Sequence, residues 1–456
     1  MYKTYFHDIA SHFLALKADR IPPSSLAAMR RGLLNYAGGS LYAASHNCCR
    51  PLLDFFEKLH PERGNSSVWG EPASYTPPAA AFCNAARIST LELNDGAGAS
   101  SHPGIYVWSA VFAGLETYGA ETGDVLRAVL FGYETAARMA KLCVNRILEL
   151  GLHNPGFVGG FGAFSAMGLL RGLGIDQLEN AFGLTASLSP LCPFASFIEG
   201  TDTKDFYGGW GTYLGVIAAD AAANGLTGPR SVLSGVKSLE SIFRGEDGLE
   251  IPFGEPYMID SLSVKQFPAC FAVNPAANAA LRLREQYGFR GEDIESVLVD
   301  TYPYSYDLNQ GIGRPLTRTS AKLSLHYAVA AALQDGSLGA DAFLDKAFEN
   351  NTYQALMDRI TLTRHDAYGT GEKAVRGCIV TVTLKDGQKL SYEYDAAKHK
   401  TVWTEAMLRE RYFSQVSGAL SAEDAEHLYD LIMALSPETP LREIIGILNR
   451  VKKADA

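Results

Sequence analysis

Four stretches of this sequence set reactive side chains among glycines, prolines and apolar residues. Leu91 to Gly104 (LELNDGAGASSHPG) carries Glu92, Asp95 and His102; Gly151-Leu152-His153-Asn154-Pro155-Gly156 carries His153. Gly200-Thr201-Asp202-Thr203-Lys204-Asp205 carries Lys204, and Val264-Lys265-Gln266-Phe267-Pro268-Ala269-Cys270 carries Lys265. An imidazole exchanges protons near neutral pH, and so does an amine that is buried beside another cation. Amines also hold carboxylates. The chemistry on offer is proton transfer next to a negatively charged group. The Gly-Ala-Gly-Ala-Ser-Ser run at 96–101 adds flexible backbone whose N–H groups can approach a ligand.

Taken singly, each stretch has a plainer explanation. The first is equally well a polar loop that starts a helix at Pro103-Gly104; a lone histidine such as His153 is more often a structural hydrogen-bonding group, and most lysines are solvated. Phe206-Tyr207 after Lys204, and Phe267-Pro268 after Lys265, argue for burial of both amines. Two other signals are set aside. Gly160-Phe161-Gly162-Ala163-Phe164-Ser165 resembles a dinucleotide fingerprint, but no strand precedes it and its last position is Ser, so helix packing explains it better. Cys48-Cys49 beside His46 lacks the spacing of tetrahedral ligands and has no second half, so no metal is expected.

The elements that must position these groups are mostly helical. From the N-terminus to about residue 250, apolar residues recur at helical spacing. Helices are expected over Phe6–Leu16 and Ser24–Tyr42, parted by Ile21-Pro22-Pro23, then over Ile105–Tyr118, Gly123–Cys143, Phe157–Leu173, Asp176–Leu188 and Tyr207–Asn224. Their Gly and Ala content suits a bundle whose axes approach closely. Near residue 255 the pattern changes. Strands are expected at Ile294–Thr301, Ile360–Arg364, Cys378–Leu384 and Lys389–Tyr394, the last two joined by an Asp386-Gly387 hairpin, with helices at Asn274–Tyr287 and Ser324–Leu333 between them. The fold class is therefore mainly α: a large helical domain, residues 1–256, completed by a helical tail at 404–456, and a smaller α+β domain at 257–403.

Composition narrows the function. With 456 residues, 47% of them hydrophobic, the chain can bury a large core in two domains. Its 50 acidic against 40 basic residues give a formal charge of −10, which opposes binding to nucleic acid or to anionic membranes. The start has no apolar signal region, and apolar runs such as Val107–Leu115 stop short of the roughly 20 residues of a membrane span, so the cytosol is the expected compartment. Seven scattered cysteines (48, 49, 83, 143, 192, 270 and 378) read as buried, unpaired thiols.

The order and spacing of the four stretches resemble the MmgE/PrpD family over most of the chain. Ile21-Pro22 with Ala37-Gly38-Gly39, Ala79–Ala86 (AAAFCNAA), Ser101-His102-Pro103-Gly104, Phe131-Gly132-Tyr133-Glu134 with Arg138, and Gly151-Leu152-His153 followed by Gly160 to Gly162 carry the likeness. Ala222–Pro229 (AANGLTGP), Lys265–Cys270 (KQFPAC) and Leu323–Ala328 (LSLHYA) extend it. The resemblance implies a helical domain with an α+β lid, a site in the cleft between them, a homodimer, a small polycarboxylate substrate, and catalysis with neither metal nor organic cofactor. It also puts functional roles on His102, His153, Lys204 and Lys265. The sequence departs from the family where an acidic run with Asp and Thr is usual: Glu92 replaces the leading Asp and Gly96 the Thr. Asn274 stands where a His is common.

Dehydration needs an acid for the leaving hydroxyl as well as a base, and these departures thin out the candidate acids. Epimerisation needs only a base, a donor on the other face and cations around the enediolate-like intermediate. The expected reaction is cofactor-independent epimerisation of an iminodisuccinate-like dicarboxylate. Lys265 and His102 exchange the α-proton, Lys204 and His153 bind the carboxylates, and Asp95 or Glu92 orients the histidine or bonds to the substrate. The alternatives are a dehydratase or decarboxylase of a 2-methylcitrate-like or cis-aconitate-like acid, and a non-catalytic binding protein derived from the family.

Overall fold

The computed structural model describes residues 5–98, 101–234, 237–243, 254–312, 314–344, 347, 350–370, 374–399 and 401–453. Ten helices open the chain: α1 (Tyr5–Ala15), α2 (Pro23–Ser45), α3 (Arg50–Leu59), α4 (Pro77–Thr90), α5 (Pro103–Tyr118), α6 (Thr122–Glu149), α7 (Asn154–Leu170), α8 (Ile175–Leu188), α9 (Ala195–Ile198) and α10 (Thr203–Ala223). Proline in the first turn starts α2, α4, α5 and α7, where its missing N–H would have had no helical partner. The segment expected to be nearly all helix also holds a two-stranded ribbon, β1 (Ser66–Ser67) with β2 (Ser74–Tyr75). The fingerprint-like glycines at 160–162 lie inside α7.

These helices bury almost every face, so glycine is used for contact. A Cβ on Gly215 of α10 would lie 2.5 Å from the Gly160 carbonyl oxygen and 2.6 Å from Ala163 Cβ, both on α7. A Cβ on Gly132 of α6 would come within 2.8 Å of the Gly162 carbonyl. Axes this close leave no room for a side chain at these glycines, and α7 is buried throughout from Asn154 to Leu170, with Asn154 and Ser165 its two polar side chains.

After α11 (Leu239–Phe243), residues 257–264 still belong to the helical core. Tyr257, Ile259, Leu262 and Val264 pack into it, and the Met258 N–H donates to the Glu134 carboxylate of α6 at 3.1 Å. The second core begins at Phe267, so the change of core falls later than the 256/257 boundary read from composition. This core lies between α12 (Asn274–Tyr287), α15 (Leu325–Asp335) and a four-stranded sheet ordered β4-β3-β5-β6. Strand β3 (Ile294–Thr301) runs parallel to β4 (Ile360–Arg364) and antiparallel to β5 (Gly377–Leu384), which pairs with β6 (Lys389–Asp395). Gly387 (φ 88°) turns the hairpin. Val297 and Val299 face inward while Leu298 faces out, the alternation of a sheet covered on one side. Helices α13 (Pro303–Asn309), α14 (Arg318–Leu323) and α16 (Asn351–Met357) complete this part.

The tail read as helical is three helices, α17 (Glu405–Val416), α18 (Ala422–Met433) and α19 (Leu441–Leu448). Leu408, Tyr412, Leu428, Ile432 and Ile444 return to the first core, and Arg30 of α2 donates to the Leu435 carbonyl at 2.9 Å. No disulfide joins any of the seven cysteines, and Cys270 alone among them is more than slightly exposed. Among the described residues no helix is long and apolar enough to cross a membrane.

The glycine contacts give a prediction with two signs. Gly215→Ala forces a methyl against backbone and lowers stability by ~1–3 kcal/mol. Gly446→Ala, exposed in α19 with nothing within 4 Å of the added carbon, raises it by ~0.5–1 kcal/mol. Thermal denaturation of the two variants checks both; equal melting temperatures would remove the close-approach argument.

Candidate active site

The end of α4 gathers the amines. Its last carbonyls carry the negative end of the helix dipole and have no helical partner. Lys204, in the first turn of α10, donates to the Ser89 carbonyl at 3.3 Å, and Lys322 of α14 donates to the Thr90 carbonyl. Two residues beyond the helix, Glu92 adopts a left-handed conformation (φ 57°), uncommon for a side chain of its size. Its carboxylate accepts from Lys265 Nζ at 2.7 Å through Oε1 and pairs with Lys204 through Oε2. All of these side chains are buried, Lys265 to 1% exposure. Burial pulls the Lys204 ammonium down to about 7; Asp205 opposes the shift, and the neighbouring Lys265 and Lys322 reinforce it. Burial likewise pulls Lys265 down to about 7, against Cys270 and Asp95.

Asp95 and His102 form a second unit. Tyr36 of α2 donates to Asp95 Oδ1 at 2.5 Å, Tyr133 of α6 donates to Oδ2 at 2.6 Å, and the Gly104 N–H adds a longer bond to Oδ1. Burial pushes the Asp95 carboxyl up to about 6, while these donors hold it lower than burial alone would. Both Asp95 oxygens are thus engaged by donors of the protein itself. The Asp95 backbone carbonyl lies 2.5 Å from His102 Nδ1 and accepts from it, which leaves Nε2 as the imidazole's free lone pair. Burial, then the nearby Lys265 charge, lower His102 to about 3, so the ring is neutral at physiological pH. The loop that joins the two is pinned by Gly96, which exchanges backbone hydrogen bonds with Ser263 at 2.8 Å. Ala99 and Ser100 of the expected ligand-approaching run lie outside the described residues.

Phe271 ties the units together. Lys265 Nζ lies 4.8 Å from its ring centroid, and the His102 ring stacks on it at 6.1 Å. His153, just ahead of α7, packs on Phe197 at 4.1 Å between centroids and stacks more distantly on Tyr207. Burial holds it well below the ordinary histidine value, and the proximity of His102 and Lys265 adds to the effect. Its buried Nδ1 has no hydrogen-bond partner among the described residues, and neither has the buried Oδ1 of Asn274. An open cavity of about 680 Å³ in the α+β part, lined by Gln266, Arg282, Tyr394 and His399 among others, contains none of these groups.

The six residues singled out in the sequence thus converge. Reading the sequence missed Lys322, which directly precedes the LSLHYA stretch, and Phe271, which directly follows KQFPAC; adjacency to those motifs was the available signal. It also missed the part played by Tyr36, in a helix read only for its apolar face, and by Tyr133, noted only as part of the Phe131–Glu134 motif.

The fold sets a helical part beside an α+β part, with a buried cluster of amines, imidazoles and two carboxylates drawn from both. The chain belongs to the MmgE/PrpD family: the MmgE/PrpD N-terminal domain matches residues 7–251 and the C-terminal domain residues 267–435. Curated relatives run nearly the whole length. Cis-aconitate decarboxylase of Mus musculus is 23% identical, covering 95% of this chain and 91% of the relative. The Homo sapiens enzyme is 23% identical (95% and 92%), and a cis-aconitate decarboxylase-like protein of Aspergillus oryzae is 22% identical (95% of each).

The tyrosine clamp predicts a pH-dependent cost. Because Asp95 holds its proton to about 6 when folded, against 3.8 when exposed, stability falls as pH rises between these values, and above them the buried carboxylate is ionised. Tyr133→Phe removes a donor to that charged form. It should cost ~1.5–3 kcal/mol near pH 8 and distinctly less near pH 5, read by urea unfolding. The same loss at both pH values would mean that Asp95 does not change state.

Proposed function

We propose that this chain moves a proton at the carbon next to a carboxylate of a small polycarboxylate, with His102 accepting and Lys265 donating. One observation carries the reading: an uncharged imidazole and an ammonium held by Glu92 lie against the same Phe271 ring. Neighbouring groups whose surroundings push their pKa values apart are how one site runs base and acid chemistry together. His102 Nε2, its other nitrogen anchored on the Asp95 carbonyl, takes the α-proton. The electron pair left on carbon spreads into the adjacent carboxylate, where Lys204 and the lysines near it offset the charge in a site that excludes water. Lys265 returns a proton, and His153 donates a hydrogen bond to the second carboxylate through Nδ1, which has no partner among the described residues.

Loss of a group is the first outcome, because relatives that cover 95% of the chain are named cis-aconitate decarboxylases. In that case the bond to the departing carboxylate breaks, its electrons stay on carbon, and the proton from Lys265 ends there. Epimerisation of a dicarboxylate is the second reading. It is favoured by Gly96 and Asn274, which offer no titrating group, and by the clamped Asp95, which leaves few acids for a leaving hydroxyl.

Incubation of a polycarboxylate panel in D2O, followed by NMR, separates the outcomes. A decarboxylase releases CO2 and places deuterium in the product. An epimerase places deuterium in recovered substrate with no loss, and no exchange with any acid would end the proposal. Lys265→Met should lower turnover by ~100-fold or more in a chain that stays folded by circular dichroism. Because the donor must be protonated, the wild-type rate should fall as pH rises through about 7.

A further inference from the structure

Glu92 is an odd companion for two lysines meant to hold a substrate anion. A carboxylate set between paired ammoniums is the arrangement expected of a bound ligand, yet here the protein supplies it, with Oε1 on Lys265 and Oε2 on Lys204. The side chain is 4% exposed and its backbone is held left-handed, with its own N–H on the Ser89 carbonyl at 3.0 Å. It is therefore fixed at its root and reaches the lysines by its full length. An aspartate there would end one methylene short of them. Three ammoniums, Lys204, Lys265 and Lys322, set against two carboxylates, Glu92 and Asp205, leave a single positive charge for a ligand at this end of the site, and neither His102 nor His153 adds one.

We propose that Glu92 permanently fills one anion position of the site, so that this chain takes substrates with two carboxylates and rejects those with three. The proposal rests on the polycarboxylate reading above and narrows it to the dicarboxylate class, which sets this chain apart from relatives named for the tricarboxylate cis-aconitate, whichever outcome its proton transfer has. A third carboxylate would enter beside Glu92, where the lysine charge is already partly cancelled, and like charges at close range in a buried site are strongly disfavoured. Glu92 is on this account a specificity-determining residue that also sets the proton affinity of Lys265.

The test compares succinate with tricarballylate, which differ by one carboxymethyl arm, as ligands of the full chain by calorimetry. The wild type should bind succinate at least ~10-fold more tightly. Glu92→Gln, which keeps shape and drops the charge, should shift the ratio toward tricarballylate by ~10-fold or more. Glu92→Asp, which keeps the charge and withdraws it, should move the ratio in the same direction and serves if the Gln variant does not fold. In Glu92→Gln the alkaline limb of deuterium exchange should also move to lower pH, since Lys265 loses the carboxylate that favours its charged form. Tighter binding of tricarballylate by the wild type, or an unchanged ratio in folded variants, overturns the role of Glu92 and leaves the proton-transfer reading intact. A wild-type chain that binds neither acid and exchanges no deuterium overturns both.

Discussion

A buried ammonium is tolerated only where negative charge or a hydrogen-bond acceptor meets it, and this molecule buries three near one point. The end of α4 makes that possible. Its Ser89 and Thr90 carbonyls accept from Lys204 and Lys322, and Glu92, just past the helix, bridges Lys204 to Lys265. The lysines come from α10, from the segment that leads into α12, and from α14, so the point where α4 stops is also where distant parts of the chain are drawn together. The amines are not laid on a finished surface; satisfying them is part of what joins the helical domain to its companion.

The imidazoles answer to a different constraint. His102 is set by a backbone carbonyl, and that carbonyl is set by Asp95, whose side chain two tyrosines hold from behind. Proton affinity and orientation are thus separated: burial makes the ring neutral, and hydrogen bonding chooses which nitrogen is open. Close packing stands behind this arrangement. A Cβ on Gly104 would fall 2.7 Å from the Tyr36 hydroxyl oxygen, so the glycine after Pro103 is what lets α5 lie against that clamp.

Membership of the MmgE/PrpD family sets the type of chemistry without choosing its outcome. A proton donor beside cations that hold carboxylates serves loss of carbon dioxide, loss of water and inversion at carbon alike. What differs is which further acids stand near the leaving group and how much positive charge meets the substrate. In this chain both features converge on the stretch from Glu92 to Gly96, where one carboxylate is spent on lysines and another on tyrosines.

The sequence alone determined the order of the elements and the short list of reactive residues. Strands β3 and β4 and helix α12 stand where periodicity and turn residues placed them, because local alternation and proline or glycine punctuation are encoded within a few residues. The four motif stretches were legible for a similar reason: reactive side chains in apolar, glycine-rich surroundings are anomalous in themselves. Tertiary structure alone decided what those residues do to one another. Nothing near Glu92 in the chain announces that it will meet Lys204 and Lys265, 112 and 173 positions away, and Tyr36 and Tyr133 read as ordinary core until they point at Asp95. Charge, desolvation and hydrogen-bond geometry act through space, so the division into base, acid, anchor and counter-charge exists only once the chain has folded.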